Sequence, residues 1–144
     1  MKIFNILILI SIIPLVGVML LILIPGRYNS YCFNAALFIS SLTFILSLIM
    51  WLIFDSGHNS FQFLCTIDWL PAFNFYYTVG VDGISLFFLI LTTFLIMVCV
   101  LISWGSINYR LKEYLINFLL LEFLLIQVFS VLDLLLFYVF FESI

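Results

Sequence analysis

Charged side chains are scarce in this chain of 144 residues: they make up 8% of it, whereas hydrophobic residues make up 67%. The mean hydropathy is +1.43, far above that of water-soluble domains, which are about 25% charged. The net charge of −3 comes from isolated positions rather than from a run of like charges. These shortages exclude a soluble domain and a basic nucleic-acid-binding surface, and they indicate an integral membrane protein.

Metal-binding patterns are also missing from the sequence. The three cysteines, Cys32, Cys65 and Cys99, are far apart and form no CxxC pair, and the single histidine is His58. Structural metal sites usually combine such ligands at short, regular spacings. The cysteines are therefore interpreted as structural filler, and the sequence predicts no metal site.

Long apolar stretches, by contrast, occupy most of the chain. A helix needs about 20 residues to cross a hydrocarbon core about 30 Å thick. The predicted spans are residues 3–25, 35–54, 84–104 and 114–131, followed by an incomplete stretch at 132–144. The sequence thus predicts an all-α transmembrane fold, a single membrane domain over residues 1–144 with four spanning helices and the first part of a fifth.

Positive charges in the short loops predict the orientation of these spans. Arg27, Arg110 and Lys112 fall in loops on one side of the membrane, and Lys2 falls on the other. Because Lys and Arg accumulate on the inner side, this distribution places the N-terminus outside.

The loop between the second and third spans has the pattern of strands. Large apolar side chains recur at every second position from Phe61 to Trp69, Pro71 interrupts the pattern, and residues 73–79 supply a possible return strand. Period two is the spacing of a half-buried strand. We therefore predict an extended or hairpin segment on the outer surface, with its aromatic rings at the membrane interface.

Asp82 stands immediately before the third span. Its carboxylate is predicted to accept hydrogen bonds from the free N–H groups of a helix that begins at Gly83 or Ile84. Coordination of an ion by this single carboxylate is the alternative, and one ligand is too few to favour it.

Two glutamates are predicted at membrane depth. Glu142 is nine residues after Asp133, and Glu122 is nine residues after Glu113, so at 1.5 Å per residue each lies about 13 Å deep. A charge there costs at least about 2.5 kcal/mol. Such a group usually faces a protein interior or a water-filled cavity and pairs with another group; otherwise it stays neutral. Glu122 and Glu142 are therefore candidate proton carriers.

Each glutamate also has a structural interpretation. Tyr138 lies one turn before Glu142 and is predicted to donate a hydrogen bond to it or to hold a water beside it, whereas the helix of Glu122 offers no polar helper, so its partner must come from elsewhere. Glu122 alternatively makes an interhelical hydrogen bond that only holds helices together. Glu142, close to the end of the sequence, is alternatively a solvated helix end.

Four stretches carry a resemblance to a known family. They are WLP at 69–71, GVDGISLFFLILTTFLI at 80–96, KEY at 112–114 and LDLLLFYVFFES at 132–143. In this order and spacing they resemble the N-terminal part of the chain 4 family of mitochondrial NADH:ubiquinone oxidoreductase, respiratory complex I. The resemblance is good from about Phe61 onward and weaker before it.

This resemblance implies a function and a site. Members of that family are antiporter-like, proton-pumping subunits of the membrane arm and hold no redox cofactor themselves; NADH, flavin, iron–sulfur clusters and ubiquinone bind elsewhere in the complex. The functional glutamate of the family's fifth helix falls on Glu142, and Glu122 falls where related chains can also carry an acidic residue. The family's lysine partners belong to later helices, which this sequence does not contain. The implied location is the mitochondrial inner membrane, which the chain would cross several times.

Partners and alternatives follow from the same reasoning. We expect contacts with other membrane-arm subunits and with lipid, and none with nucleic acid. Because the fifth span is incomplete at Ile144, the sequence also predicts a second polypeptide that completes a split subunit. Two other functions stay open: a subunit of a multisubunit cation/proton antiporter, and a purely structural membrane subunit.

Overall fold

The computed structural model describes residues 5–144 as a helical bundle with a two-stranded sheet. Its elements are α1 (Ile6–Leu23), α2 (Asn29–Ile53), β1 (Gln62–Leu70), β2 (Phe75–Val81), α3 (Gly83–Ser103), α4 (Leu111–Ser130) and α5 (Leu134–Ser143). Four of these described helices, α1 to α4, are long and apolar enough to cross a membrane, and α5 is a shorter apolar helix. The predicted fold class is thereby confirmed. Lys2 and the first positions of the predicted first span, 3 and 4, lie outside the described residues.

The second helix is longer than the span predicted for it. It begins at Asn29, rather than at residue 35, and its first turns include polar side chains. Hydropathy marks the apolar part of a helix and does not mark where its hydrogen bonding starts, so the polar first turns were missed. The fourth helix likewise begins at Leu111, rather than at residue 114.

The loop between α2 and α3 forms an antiparallel hairpin, as predicted. Thr66 pairs with Thr78 and Ile67 pairs with Tyr77, and a short 3-10 turn over Pro71–Phe73 joins the strands. The alternation seen in the sequence is interrupted, because the register shifts after Gln62. We call the end of the bundle that carries this sheet the hairpin end.

Backbone contacts tie the hairpin to the junction between α4 and α5. Val79 of β2 forms an isolated antiparallel bridge with Val131, and the amide of Leu132 donates to the carbonyl of Thr78 at 3.0 Å. Strand-like hydrogen bonds thereby join β2 to the junction between α4 and α5.

Asp82 caps α3, which confirms its predicted role. The helix begins at Gly83, and the Asp82 carboxylate accepts from the amide of Ser85 at 2.8 Å. Hydrogen bonds from Ser85 stabilise the Asp82 carboxylate and hold its pKa below the ordinary value. Asp133 caps α5 in the same way, by accepting from Leu135, so a short acidic side chain marks the start of both helices.

Lys112 closes the opposite end of the bundle. Its ammonium group donates to the carbonyls of Ile22 at 3.0 Å and Ile24 at 2.7 Å, at the C-terminal end of α1. A cation at this position satisfies carbonyls that lack intrahelical partners and opposes the helix dipole. The residue that helped to predict the orientation thus also joins α4 to α1.

Candidate functional site

A layer of polar side chains divides the apolar core of the bundle at mid-length. One apolar cluster lies toward the end opposite the hairpin and includes Leu21, Cys32, Val100, Leu111 and Leu115. The other lies toward the hairpin end and includes Leu7, Met50, Val81, Leu86 and Ile126. Between them, α1 to α4 each contribute at least one buried polar residue; these are Ser11, Ser40, Thr43, Ser47, Thr92, Thr93 and Glu122. The layer therefore places hydrogen-bonding groups where a lipid-embedded bundle is otherwise dry.

Glu122 is the acidic member of this layer, and it is fully buried. Its Oε1 atom lies 2.7 Å from the hydroxyl of Thr43 on α2, whereas its Oε2 atom is buried with no hydrogen-bond partner among residues 5–144. The sequence predicted a partner from another element, and Thr43 is that partner. The carboxyl is thus half satisfied, and buried polar atoms in this condition are uncommon.

The helices packed around Glu122 offer it no counter-ion. Ile6–Leu23, Asn29–Ile53 and Gly83–Ser103 contain no Asp, Glu, Lys, Arg or His. An unpaired charge in a low-dielectric interior carries a desolvation cost of several kcal/mol. The described surroundings therefore favour the neutral carboxyl, and ionisation requires either water or a cation from outside this bundle.

The neighbouring hydroxyls are satisfied without Glu122. Ser47 of α2 and Thr93 of α3 lie 3.0 Å apart through their hydroxyl oxygens, and each also donates to or approaches a carbonyl one turn back in its own helix. Ser47 lies one turn beyond Thr43, on the same face of α2. This pair extends the polar layer but forms no direct bond with the carboxyl.

Glu142 lies in a different environment. It is exposed on α5, where the hydroxyl of Ser143 bonds to its own helix at Val139 rather than to the carboxylate. No direct hydrogen bond from Tyr138 to Glu142 forms in the described part of the chain, which corrects that half of the expectation. The alternative, a water held beside Glu142 by Tyr138, stays a prediction. Both side chains are on the open side of α5, while Phe140 turns toward α4.

The two glutamates lie at the same distance from the hairpin end but are not brought together. Glu122 is eight residues before Ser130, and Glu142 is eight residues after Leu134, so each is about 12 Å along its helix. Glu122 faces α2 inside the bundle, and Glu142 faces outward. Within residues 5–144 no hydrogen bond or ion pair joins the two carboxylates.

Sequence reasoning missed the contact between Tyr77 and Gln127. Gln127 lies on α4 with 1% of its surface exposed, and its side-chain oxygen accepts from the Tyr77 hydroxyl of β2. Burial raises the pKa of Tyr77 above its ordinary value, so the phenol remains a neutral donor. A polar residue inside an apolar span was the available signal, and it did not indicate which residue would bond to it.

Comparisons with known proteins show extensive similarity to one group of curated proteins, although no protein-family model matches the chain. Each is named NADH-ubiquinone oxidoreductase chain 4. The protein of Chondrus crispus is 61% identical over 144 residues, all of this chain. Those of Arabidopsis thaliana and Prototheca wickerhamii are 49% and 46% identical over 91% and 92% of it. The chain spans 29%, 26% and 28% of the lengths of these three relatives.

Proposed function

This chain belongs to the NADH-ubiquinone oxidoreductase chain 4 family, and we propose that it supplies part of a proton path through the membrane arm of that enzyme. The single observation that supports this most is Glu122, a carboxyl buried at mid-length of a bundle of four apolar helices. Because the chain spans 29% of the length of a relative, other segments or subunits must supply the rest of the path.

A buried carboxyl is suited to carrying a proton because its two states need different surroundings. The described bundle stabilises the neutral form, and the arrival of water or of a cation stabilises the charged form. An alternation between these surroundings loads the proton at one stage and releases it at another. Moving one charge against the membrane potential costs about 2.3 kcal/mol per 100 mV, and oxidation of NADH by ubiquinone elsewhere in the enzyme would supply that energy.

Glu142 is proposed as a second carrier in the same path. Support comes from the resemblance carried by LDLLLFYVFFES, which contains Glu142. Its position along α5 also matches that of Glu122 along α4, counted from the hairpin end. Since its side chain is on the open side of α5, its proton donors and acceptors are proposed to come from neighbouring segments of the membrane arm. Transfer between Glu122 and Glu142 then needs an intermediate group or water.

We also propose the cofactors, partners and location that belong with this function. The redox groups, flavin, iron–sulfur clusters and ubiquinone, are placed in other subunits, and this chain carries no cofactor of its own. Other membrane-arm subunits and lipid are its partners, and the mitochondrial inner membrane is its location. The second polypeptide expected from the sequence stays a prediction, which mass spectrometry of the purified enzyme tests.

The decisive experiment compares Glu122→Gln and Glu142→Gln with Glu113→Gln in the intact enzyme, sealed in vesicles. Glu113 is a matched control because it lies on α4, is two-thirds exposed and pairs at the surface with Arg110 at 3.7 Å. We expect fewer protons translocated per NADH oxidised in the first two variants and an unchanged ratio in the control.

The alternatives predict different results. A purely structural subunit predicts that all three variants assemble and pump alike, which would refute the proposal. A cation/proton antiporter subunit predicts that pumping requires Na⁺ or K⁺ in the medium, so replacing both ions by a large organic cation separates the two functions.

A further inference from the structure

We propose that Thr43 is the positioning residue for Glu122, and that its hydroxyl bonds to the carboxyl in both protonation states by reversing the direction of one hydrogen bond. This inference rests on the proposed role of Glu122 as a proton carrier. It assigns a task to a residue of α2 that neither the sequence pattern nor the resemblance singled out.

The Thr43 hydroxyl has a single proton and two acceptor oxygens close to it. Thr43 Oγ1 lies 2.7 Å from Glu122 Oε1 and 2.8 Å from the carbonyl oxygen of Ser40. A hydroxyl carries one proton and can accept at its lone pairs, so it cannot donate to both oxygens at once. When Thr43 donates to Ser40, its short contact with Glu122 is a hydrogen bond only if the carboxyl is the donor, which requires the neutral acid.

The acid proton of a neutral Glu122 can lie on either of two oxygens, Oε1 or Oε2. On Oε2 it would be a buried donor with no acceptor among the described residues, and unpaired buried donors are rarer than unpaired acceptors. On Oε1 it points to Thr43, whose own proton points to Ser40. The neutral state is therefore a chain of two bonds running from Glu122 through Thr43 to the backbone.

In the charged state the hydroxyl rotates, and water or a cation from outside the bundle stabilises the remaining charge. Thr43 then donates to Oε1, and a hydroxyl bond to a carboxylate is stronger than one between neutral groups. The Ser40 carbonyl, which then loses the Thr43 donor, lies inside α2, where the helical backbone already supplies it with an amide donor. Thr43 keeps its own proton throughout, and the transferred proton enters and leaves on Glu122 alone.

The elements packed against α4 carry several titratable groups that could bond to Glu122 in place of Thr43. They are Tyr31 and Cys32 on α2, Cys99 on α3, Tyr138 and Glu142 on α5, and Tyr76 and Tyr77 on β2; α1 has none. The other titratable groups on α4 are Lys112, Glu113 and Tyr114, at its first turn. In the described residues none of these bonds to Glu122, whereas the Thr43 hydroxyl does.

The test uses Thr43→Val, which keeps the shape and deletes the hydroxyl, together with Thr43→Ser, which restores it. Thr93→Val is the matched control, because Thr93 is equally buried and bonds to Ser47 rather than to Glu122. Infrared spectra of the intact enzyme across a pH titration identify the Glu122 carboxylic C=O band as the one that Glu122→Gln removes. Proton translocation per NADH is measured on the same preparations.

We expect Thr43→Val to move the Glu122 band to higher frequency and to slow proton translocation about tenfold, the equivalent of one hydrogen bond. Thr43→Ser should recover both values, and Thr93→Val should change neither. If Thr43→Val and Thr93→Val give the same band and the same rate, or if no band depends on Glu122, the role of Thr43 is overturned.

Different results reject the role of the Thr43 hydroxyl and the proton-carrying role of Glu122. Loss of pumping in Glu122→Gln with no effect of Thr43→Val rejects the hydroxyl and keeps Glu122 in the path. Normal pumping in Glu122→Gln, with a band that still responds to Thr43→Val, keeps the hydrogen bond and rejects the proton-carrying role.

Discussion

The contact between Tyr77 and Gln127 predicts how firmly the hairpin is held to the helices. Tyr77→Phe deletes one hydroxyl and leaves the Gln127 side-chain oxygen, buried at 1% exposure, without its donor. An unsatisfied buried polar group costs about 1–3 kcal/mol. Opening of the hairpin from the bundle should therefore become about 5- to 150-fold more favourable.

The same contact predicts a pH dependence at alkaline pH. Burial raises the pKa of Tyr77 in the folded protein, so the folded state favours the protonated phenol. The resulting stabilisation is complete below the ordinary tyrosine pKa of about 10 and is lost as the pH rises through the higher, folded value. In Tyr77→Phe this alkaline loss of hairpin docking should disappear.

Hydrogen–deuterium exchange of the Leu132 amide measures the opening, because this amide donates to the Thr78 carbonyl across the hairpin junction. Tyr76→Phe is the control, since Tyr76 is 40% exposed. The double variant Tyr77→Phe with Gln127→Leu should recover much of the loss, because neither polar partner is then left behind. Equal exchange in Tyr77→Phe and Tyr76→Phe would refute the reasoning.

Two further predictions concern helix ends. Lys112→Met should destabilise the end of α1 by about 1.5–3 kcal/mol, because the carbonyls of Ile22 and Ile24 lose a charged donor. Faster hydrogen–deuterium exchange at the end of α1 tests this prediction, and Lys112→Arg should lose less stability. Asp82→Ala should cost about 1 kcal/mol, measured as faster exchange at Ser85. Since the pKa of Asp82 is lowered in the folded state, its contribution to stability is present above the ordinary carboxyl pKa and is lost as the pH falls through the folded value. A difference in stability between the protein and Asp82→Asn that does not change with pH would contradict this.

Much of the fold was predictable because its signals are local. A run of apolar residues long enough to cross the hydrocarbon core predicts a helix wherever it occurs, and period two with a proline predicted the hairpin. The Asp82 cap was equally local, since the carboxylate bonds to an amide three residues away. The start of α2 was not predicted, because its polar first turns carry no hydropathy signal.

By itself, then, the sequence determined the spans, the hairpin and the position of Glu122 along its helix, all of which depend on neighbouring residues and on helical rise. Only the tertiary structure decided that Glu122 meets Thr43, 79 positions away, and that Glu142 stays on an open face. Helix rotation sets such contacts. In α1, hydrophobicity does not mark the buried face, because the helix is apolar on every side apart from Ser11. Packing against the other helices chooses the face.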